Sequence, residues 1–198
     1  MSRKIIGLAG YRQVGKSKIT QHLCENHGFK SVHPFGVWKT GIVAMYKAIG
    51  IDEDTAVRMV DGDLKDTPHH SLPDGMDSRF LMERVGKYSG TELGPQWTLG
   101  LALKQMDQLY PDADLIIESI VYEVEVVRSF GGHIVMIDRP GTEGKGLDTD
   151  AATKLINPDS RFLNDGNELD VMLMEFEGHL MREGLISRCE NDMEVALL

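Results

Sequence analysis

Short apolar runs alternate with stretches of helical spacing along most of the chain. Lys4 to Ala9 reads as a buried strand, and from Lys16 the apolar positions Ile19, Leu23 and Cys24 recur at helical spacing until Gly28 stops the run. Asp114 to Glu118 and His133 to Ile137 read as further buried strands, separated by a helical stretch that holds Val124 and Val127 and closes at Gly131 and Gly132. Alternation of strands and helices predicts an α/β fold, a parallel sheet covered by helices on both faces.

Between the first two of these strands lies a long insert, about residues 35–110, in which Leu81 and Val85, then Leu99, Leu103, Met106 and Tyr110, keep a helical period. Its stretch from Asp61 to Asp77 is rich in Asp, Pro, His and Gly, which favour turns, and predicts a mobile loop that covers substrate or is an inert surface loop. Pro140 to Pro158, with Gly141, Gly144 and Gly146 among charges, is a lid candidate. Leu169, Met172, Leu173, Phe176 and Leu180 mark one face of a last helix, after which an acidic tail, residues 184–198, is expected to be loosely held.

With 198 residues and 41% hydrophobic content, the chain can bury one core without disulfides, and a single domain over 1–198 is the expectation. Two distant cysteines, Cys24 and Cys189, suggest neither a disulfide framework nor a thiolate metal site and fit a reducing cytoplasm. The apolar run Ile5 to Ala9 is too short for a signal-peptide core, and no run approaches a membrane span, so a cytoplasmic protein with no membrane partner is expected. The formal charge of -10 argues against a surface that grips nucleic acid everywhere, while leaving room for a local basic groove. His69 and His70, an adjacent pair in a polar stretch, read as a solvated turn in preference to a metal site.

The strongest chemical signal is Gly10-Tyr-Arg-Gln-Val-Gly15-Lys16-Ser17, which matches GxxxxGK[ST] between a hydrophobic strand and a helix. The glycines let backbone N–H groups converge on phosphate oxygens, and the helix N-terminus adds partial positive charge. Lys16 is expected to bridge the outer phosphates and the Ser17 hydroxyl to ligate Mg2+, with Arg12, Gln13 and Val14 lining the loop. The expected donor is a nucleoside triphosphate, ATP. A carboxylate near the metal is also needed, and Glu118, at the end of Asp-Leu-Ile-Ile-Glu, is the candidate for metal binding or for an acceptor base; the bland alternative is a strand-end residue facing water.

Several further segments together make the chain resemble the phage deoxynucleoside monophosphate kinase family of P-loop kinases over most of its length. They are Phe35-Gly-Val-Trp-Lys39, Ser78-Arg79-Phe-Leu-Met-Glu-Arg-Val-Gly86, Trp97, Glu123 with Arg128 and Gly131-Gly132, Arg139-Pro140-Gly141, and Asn164-Asp165-Gly166. The resemblance implies a P-loop fold of nucleotide-kinase type in which Lys39, Arg79 and Trp97 bind the acceptor. It places Arg139 and Asn164 near the donor nucleotide or lid, with Arg139 also catalytic beside Lys16 and Glu118.

Two departures bear on the acceptor. Where that family has Asp-Val-Arg after the third strand, this chain has Glu118-Ser119-Ile120, and Thr91 stands near a second family arginine. Arginine's planar fork is the usual clamp for a terminal phosphate, so the loss of two favours, by a narrow margin, an acceptor without a phosphate dianion. A related branch of phage kinases has one: the 5-hydroxymethyl group of a modified deoxyuridine in DNA. The alternatives are a free deoxynucleoside monophosphate, with Lys39, Lys65, Arg84 or Lys87 replacing the missing clamps, and a P-loop switch ATPase. Oligomeric state is not legible.

Overall fold

The computed structural model describes residues 3–142, 144 and 148–187. Part of the lid candidate, including Gly146, and most of the acidic tail, including Cys189, lie outside the described residues.

The chain divides into two compact units, residues 1–33 with 106–198, and residues 34–105. In the first, five parallel strands lie in the order β2-β3-β1-β4-β5. They are β1 (Ile5–Ala9), β2 (Lys30–Val32), β3 (Leu115–Ile117), β4 (His133–Asp138) and β5 (Ser160–Leu163). All five residues of β1 are buried, as its unbroken apolar run requires for a central strand covered on both faces. Its neighbours fix the register, with Ile6 opposite Ile116 on β3 and Leu8 opposite Val135 on β4.

Helices α1 (Lys16–His27), α6 (Val124–Ser129), α7 (Asp148–Lys154) and α8 (Leu169–Arg182) belong to the same unit. Ile19 and Leu23 of α1, Phe176 and Leu180 of α8, and Ile6, Leu8 and Ile116 of the sheet form one buried cluster. Phe162 of β5 meets Phe176 edge to face, with ring centroids 5.0 Å apart. Gly28 stops α1 in the left-handed conformation at φ 70 and its N–H donates to the Leu23 carbonyl, the end that a glycine after the last apolar position predicts.

The 34–105 unit is helical: α2 (Gly36–Ala48), α3 (Glu53–Asp61), α4 (Ser78–Tyr88) and the first part of α5 (Pro95–Leu109). Asp52 and Asp77 cap α3 and α4 by accepting from the backbone N–H of Thr55 and Phe80. Ile42, Tyr46, Ala56, Met59 and Met82 form a separate core, in which the Tyr46 hydroxyl donates to Ser78 Oγ at 2.9 Å. From Gly62 to Asp77 the chain has neither α-helix nor strand, only a 3-10 turn at Pro73–Gly75.

Strand order and all-parallel pairing are those of the expected α/β nucleotide-kinase type. Two strands, β2 and β5, and the helix α7 inside the lid candidate were absent from the sequence reading. Among the described residues no helix is long and apolar enough to cross a membrane.

Candidate functional site

In a parallel sheet the carboxyl ends of all strands open on one edge, and loops leaving that edge carry the ligand chemistry. Here β1 leads into Gly10, β3 into Glu118, β4 into Arg139 and β5 into Asn164. Four separate segments of the sequence-predicted site therefore share one edge of one sheet.

Gly10 and Gly15 have φ of 136 and 105. A Cβ on Gly10 would sit 2.5 Å from the Ile137 carbonyl oxygen, and one on Gly15 would sit 3.0 Å from Asn164 Nδ2, so both positions need glycine for conformation and for space. Gln13, with φ 64, is a non-glycine residue in the left-handed region, and Val14 turns inward and is 1% exposed, pinning the loop to the core. The Gly15 carbonyl accepts from the N–H groups of Lys18 and Ile19 at 3.0 and 3.1 Å. The N–H groups of the first helical residues, Lys16 and Ser17, have no partner within a helix and are the donors a phosphate would take.

The loop is also held from outside. Asn164, 4% exposed, donates from Nδ2 to the Val14 carbonyl at 2.9 Å, while its own Oδ1 accepts from Gly166 N–H. Arg139 Nη1 donates to the Gln13 carbonyl at 3.2 Å. The two residues that the resemblance places near the donor or lid thus contact the backbone of the phosphate loop itself. The signal for Asn164 was present in Asn-Asp-Gly; its target was not, because it depends on β5, whose pattern buries Phe162 alone.

Lys16 Nζ donates to the Gly10 and Tyr11 carbonyls, both at 2.7 Å. Burial lowers its pKa to about 8, opposed by the negative charge of Glu118 and aided by the positive charge of Arg12. Glu118 follows β3, its backbone N–H donating to the Val32 carbonyl at 3.0 Å, and its side chain is half-buried close enough to Lys16 to act on it. Ser119, next in sequence, has φ 61, a strained conformation for a non-glycine residue directly after the candidate carboxylate. Ser17 is exposed in the first turn of α1. A hydroxyl and a carboxylate are the hard oxygen donors that Mg2+ takes, so Ser17 and Glu118 fit that ion by chemistry.

The acceptor-side candidates belong to the 34–105 unit. Lys39 Nζ donates to Asp61 Oδ1 at 2.5 Å. Arg79 faces Asp66 with both arms of its fork: Nε bonds one carboxylate oxygen and Nη2 the other, the latter at 2.7 Å. Lys65 sits in the same cluster, its pKa lowered by burial and by the nearby Lys39 and Arg79 charges, against the pull of Asp61 and Asp66. Trp97 is 55% exposed, and Thr91 Oγ1 is turned back to donate to the Lys87 carbonyl at 2.8 Å. The sequence reading missed Asp61 and Asp66 as partners of these cations, since nothing in their spacing marks a pairing across a loop.

No protein-family model matches the chain, and no curated protein matches it. Solved structures of similar length do. They include shikimate kinase from Aquifex aeolicus (13% identity, 92% of this chain, 99% of that chain, TM-score 0.46). They also include thymidylate kinase from Candida albicans (10%, 94% and 96%, TM-score 0.46) and dephospho-CoA kinase from Campylobacter jejuni (15%, 94% and 100%, TM-score 0.46). The acceptors in those names belong to those proteins. The class of this chain, a P-loop fold of nucleotide-kinase type, rests on its own strand order and on the loop from Gly10 to Ser17.

Proposed function

We propose that the protein is an ATP-dependent kinase that transfers the terminal phosphoryl group of Mg2+-bound ATP to a deoxynucleotide acceptor, preferentially the 5-hydroxymethyl group of 5-hydroxymethyl-deoxyuridine in phage DNA. The observation that carries the kinase reading is the phosphate loop, strand-anchored at Gly10, opened at the N-terminus of α1 and faced by Lys16 and Glu118. Catalysis in such a site is mostly positioning and charge neutralisation. Lys16 and the loop N–H groups hold the outer phosphates, Arg139 adds charge, and Ser17 and Glu118 hold the metal, which neutralises charge on the phosphates when bound. An alcohol acceptor must also lose its proton, and Glu118 is the group proposed to take it.

For the acceptor, the support is the state of the basic side chains. The Arg79 fork is filled by Asp66 and Lys39 is paired with Asp61, so neither presents an unpaired charge to a phosphate dianion. Thr91, near the position of an arginine in the resembled family, donates its hydroxyl to the Lys87 carbonyl of its own chain. A modified base in DNA brings only phosphodiesters and needs stacking, for which the exposed Trp97 and half-buried Trp38 are the proposed surfaces. The 34–105 unit is accordingly proposed as the acceptor-binding insert of one kinase domain, acting in the host cytoplasm.

The test is transfer of label from gamma-labelled ATP, offered in parallel to hydroxymethyluracil DNA and to each free deoxynucleoside monophosphate. Label on the modified DNA, falling with salt as local lysine and arginine contacts are screened, is expected. Efficient labelling of a free monophosphate with inert DNA would replace this acceptor by the ordinary nucleotide kinase reading. Slow hydrolysis with no transfer to any acceptor would favour the P-loop switch ATPase.

A further inference from the structure

Away from the phosphate loop, three side chains with metal-binding atoms converge between α1 and α8. His22 and His27 lie on α1 and Glu177 on α8, and one ligand atom from each lies within 4.8 Å of the others. Both imidazole Nε2 atoms are 2.7 Å from the same carboxylate oxygen, Glu177 Oε1. His27 is nearly buried, with 6% of its side chain exposed, whereas His22 and Glu177 keep about a fifth, 21% and 22%. The cluster is therefore embedded but open to solvent on one side.

We propose that His22, His27 and Glu177 form a binding site for one divalent transition-metal ion of the zinc class, which fastens α1 to α8. Two imidazoles and a carboxylate are a donor set that zinc takes with water in the fourth position. Hard ions such as Mg2+ and Ca2+ prefer oxygen donors, so this site and the phosphate-loop site select different metals. A tetrahedral ion with bonds of about 2.0–2.1 Å holds its ligand atoms roughly 3.4 Å apart. The two contacts with Glu177, at 2.7 Å, would open by less than an ångström to reach that separation, and the two imidazole ligand atoms already lie within 4.8 Å of each other.

The surroundings supply the support such a histidine uses. Asn26 Nδ2 is 3.0 Å from His22 Nδ1, so the amide holds the ring from its far side. When Nε2 binds a metal, Nδ1 carries the proton and donates it, and the oxygen of the neighbouring Asn26 amide is the acceptor proposed for it. His22 thus changes from hydrogen-bond partner to metal ligand through a proton shift between its own two nitrogens. Because α1 begins at the phosphate loop, the ion would brace the helix that carries Lys16 and Ser17 without touching the nucleotide.

The experiment uses the untagged full-length protein, stripped with a chelator and then titrated with zinc chloride under equilibrium dialysis and thermal unfolding, with cobalt(II) as a spectroscopic probe. One equivalent of zinc, a Tm that rises until that equivalent is filled, the visible bands of tetrahedral cobalt, and no such response to Mg2+ are expected. His22→Gln and Glu177→Gln should each weaken zinc binding by about tenfold or more, a loss at least as large as that for a supporting residue. His22 is partly exposed, so its variant keeps the test valid if Glu177→Gln lowers stability. Absence of zinc binding by the wild-type protein, or binding undiminished in folded variants, would overturn the site and leave a hydrogen-bonded cluster. Neither result depends on the acceptor or on kinase activity.

Discussion

Asn164 Nδ2 reaches back across 150 residues of sequence to hydrogen-bond the carbonyl of Val14, and the same atom lies where a Cβ on Gly15 would approach to 3.0 Å. One buried amide thus ties the backbone of the phosphate loop to the segment that follows β5. A buried hydrogen bond whose partner is left unsatisfied costs about 1–3 kcal/mol. Asn164→Ala should lower stability by that order and, through the loop it holds, weaken ATP binding. Tm and nucleotide affinity, measured together, check it; unchanged ATP affinity with a lowered Tm would limit Asn164 to the core.

Lys16 illustrates the conflict between function and stability. Its amine is held at a pKa of about 8 instead of 10.5 because burial disfavours the charged form. That displacement corresponds to roughly 3 kcal/mol against folding at neutral pH, offset in part by its bonds to the Gly10 and Tyr11 carbonyls. Lys16→Met should therefore raise Tm at pH 7 while nearly abolishing transfer. Between pH 8 and 10.5 the unfolded chain keeps a proton that the folded wild type has released, so wild-type stability gains with rising pH and the advantage of the variant shrinks. Thermal unfolding at pH 7 and pH 10 reads the sign directly; a variant less stable at pH 7 and no closer at pH 10 would contradict it.

Glu118→Gln separates the proposed base from a strand-end residue facing water. The amide keeps the shape and loses the charge that acts on Lys16. Turnover on a hydroxyl acceptor should fall by roughly 10²-fold or more, with little change in ATP affinity. Single-turnover transfer together with equilibrium ATP binding measures both quantities, and a rate within a few-fold of wild type would return Glu118 to the bland reading.

Phosphate loop, central strand and terminal helix were legible because each carries its own local signal. Gly-Lys-Ser after Ile5 to Ala9 needs no distant partner to be recognised, and Phe176 and Leu180 repeat at helical spacing. The strands β2 and β5 were not legible for a physical reason. Lys-Ser-Val and Ser-Arg-Phe-Leu bury only Val32 and Phe162 fully, and they hold their places through backbone pairing to β3 and β4. The same limit hid Asp61 and Asp66. Sequence marks Lys39 and Arg79 as charges, but the carboxylates that occupy them arrive through the fold of the 34–105 unit.

The pairing of Arg79 with Asp66 allows the acceptor proposal to be tested by substitution. A guanidinium with both arms on a carboxylate cannot also give its fork to a phosphate, and an unpaired fork binds a phosphate dianion well. Asp66→Asn removes the competing charge while preserving size, and leaves Arg79, 30% exposed, facing only the charges of Glu83 and Asp77. If Asp66 excludes free monophosphates in the wild type, the variant should gain activity on a deoxynucleoside monophosphate, with a KM lowered by roughly tenfold, the equivalent of about 1.4 kcal/mol. Transfer to hydroxymethyluracil DNA should change little, because a phosphodiester acceptor does not require that fork. Competition between the two acceptors in one reaction gives the ratio without separate rate constants. Loss of DNA transfer together with no gain on any monophosphate would show that Asp66 organises the acceptor site instead of guarding it, and that the pairing of Arg79 does not decide the acceptor.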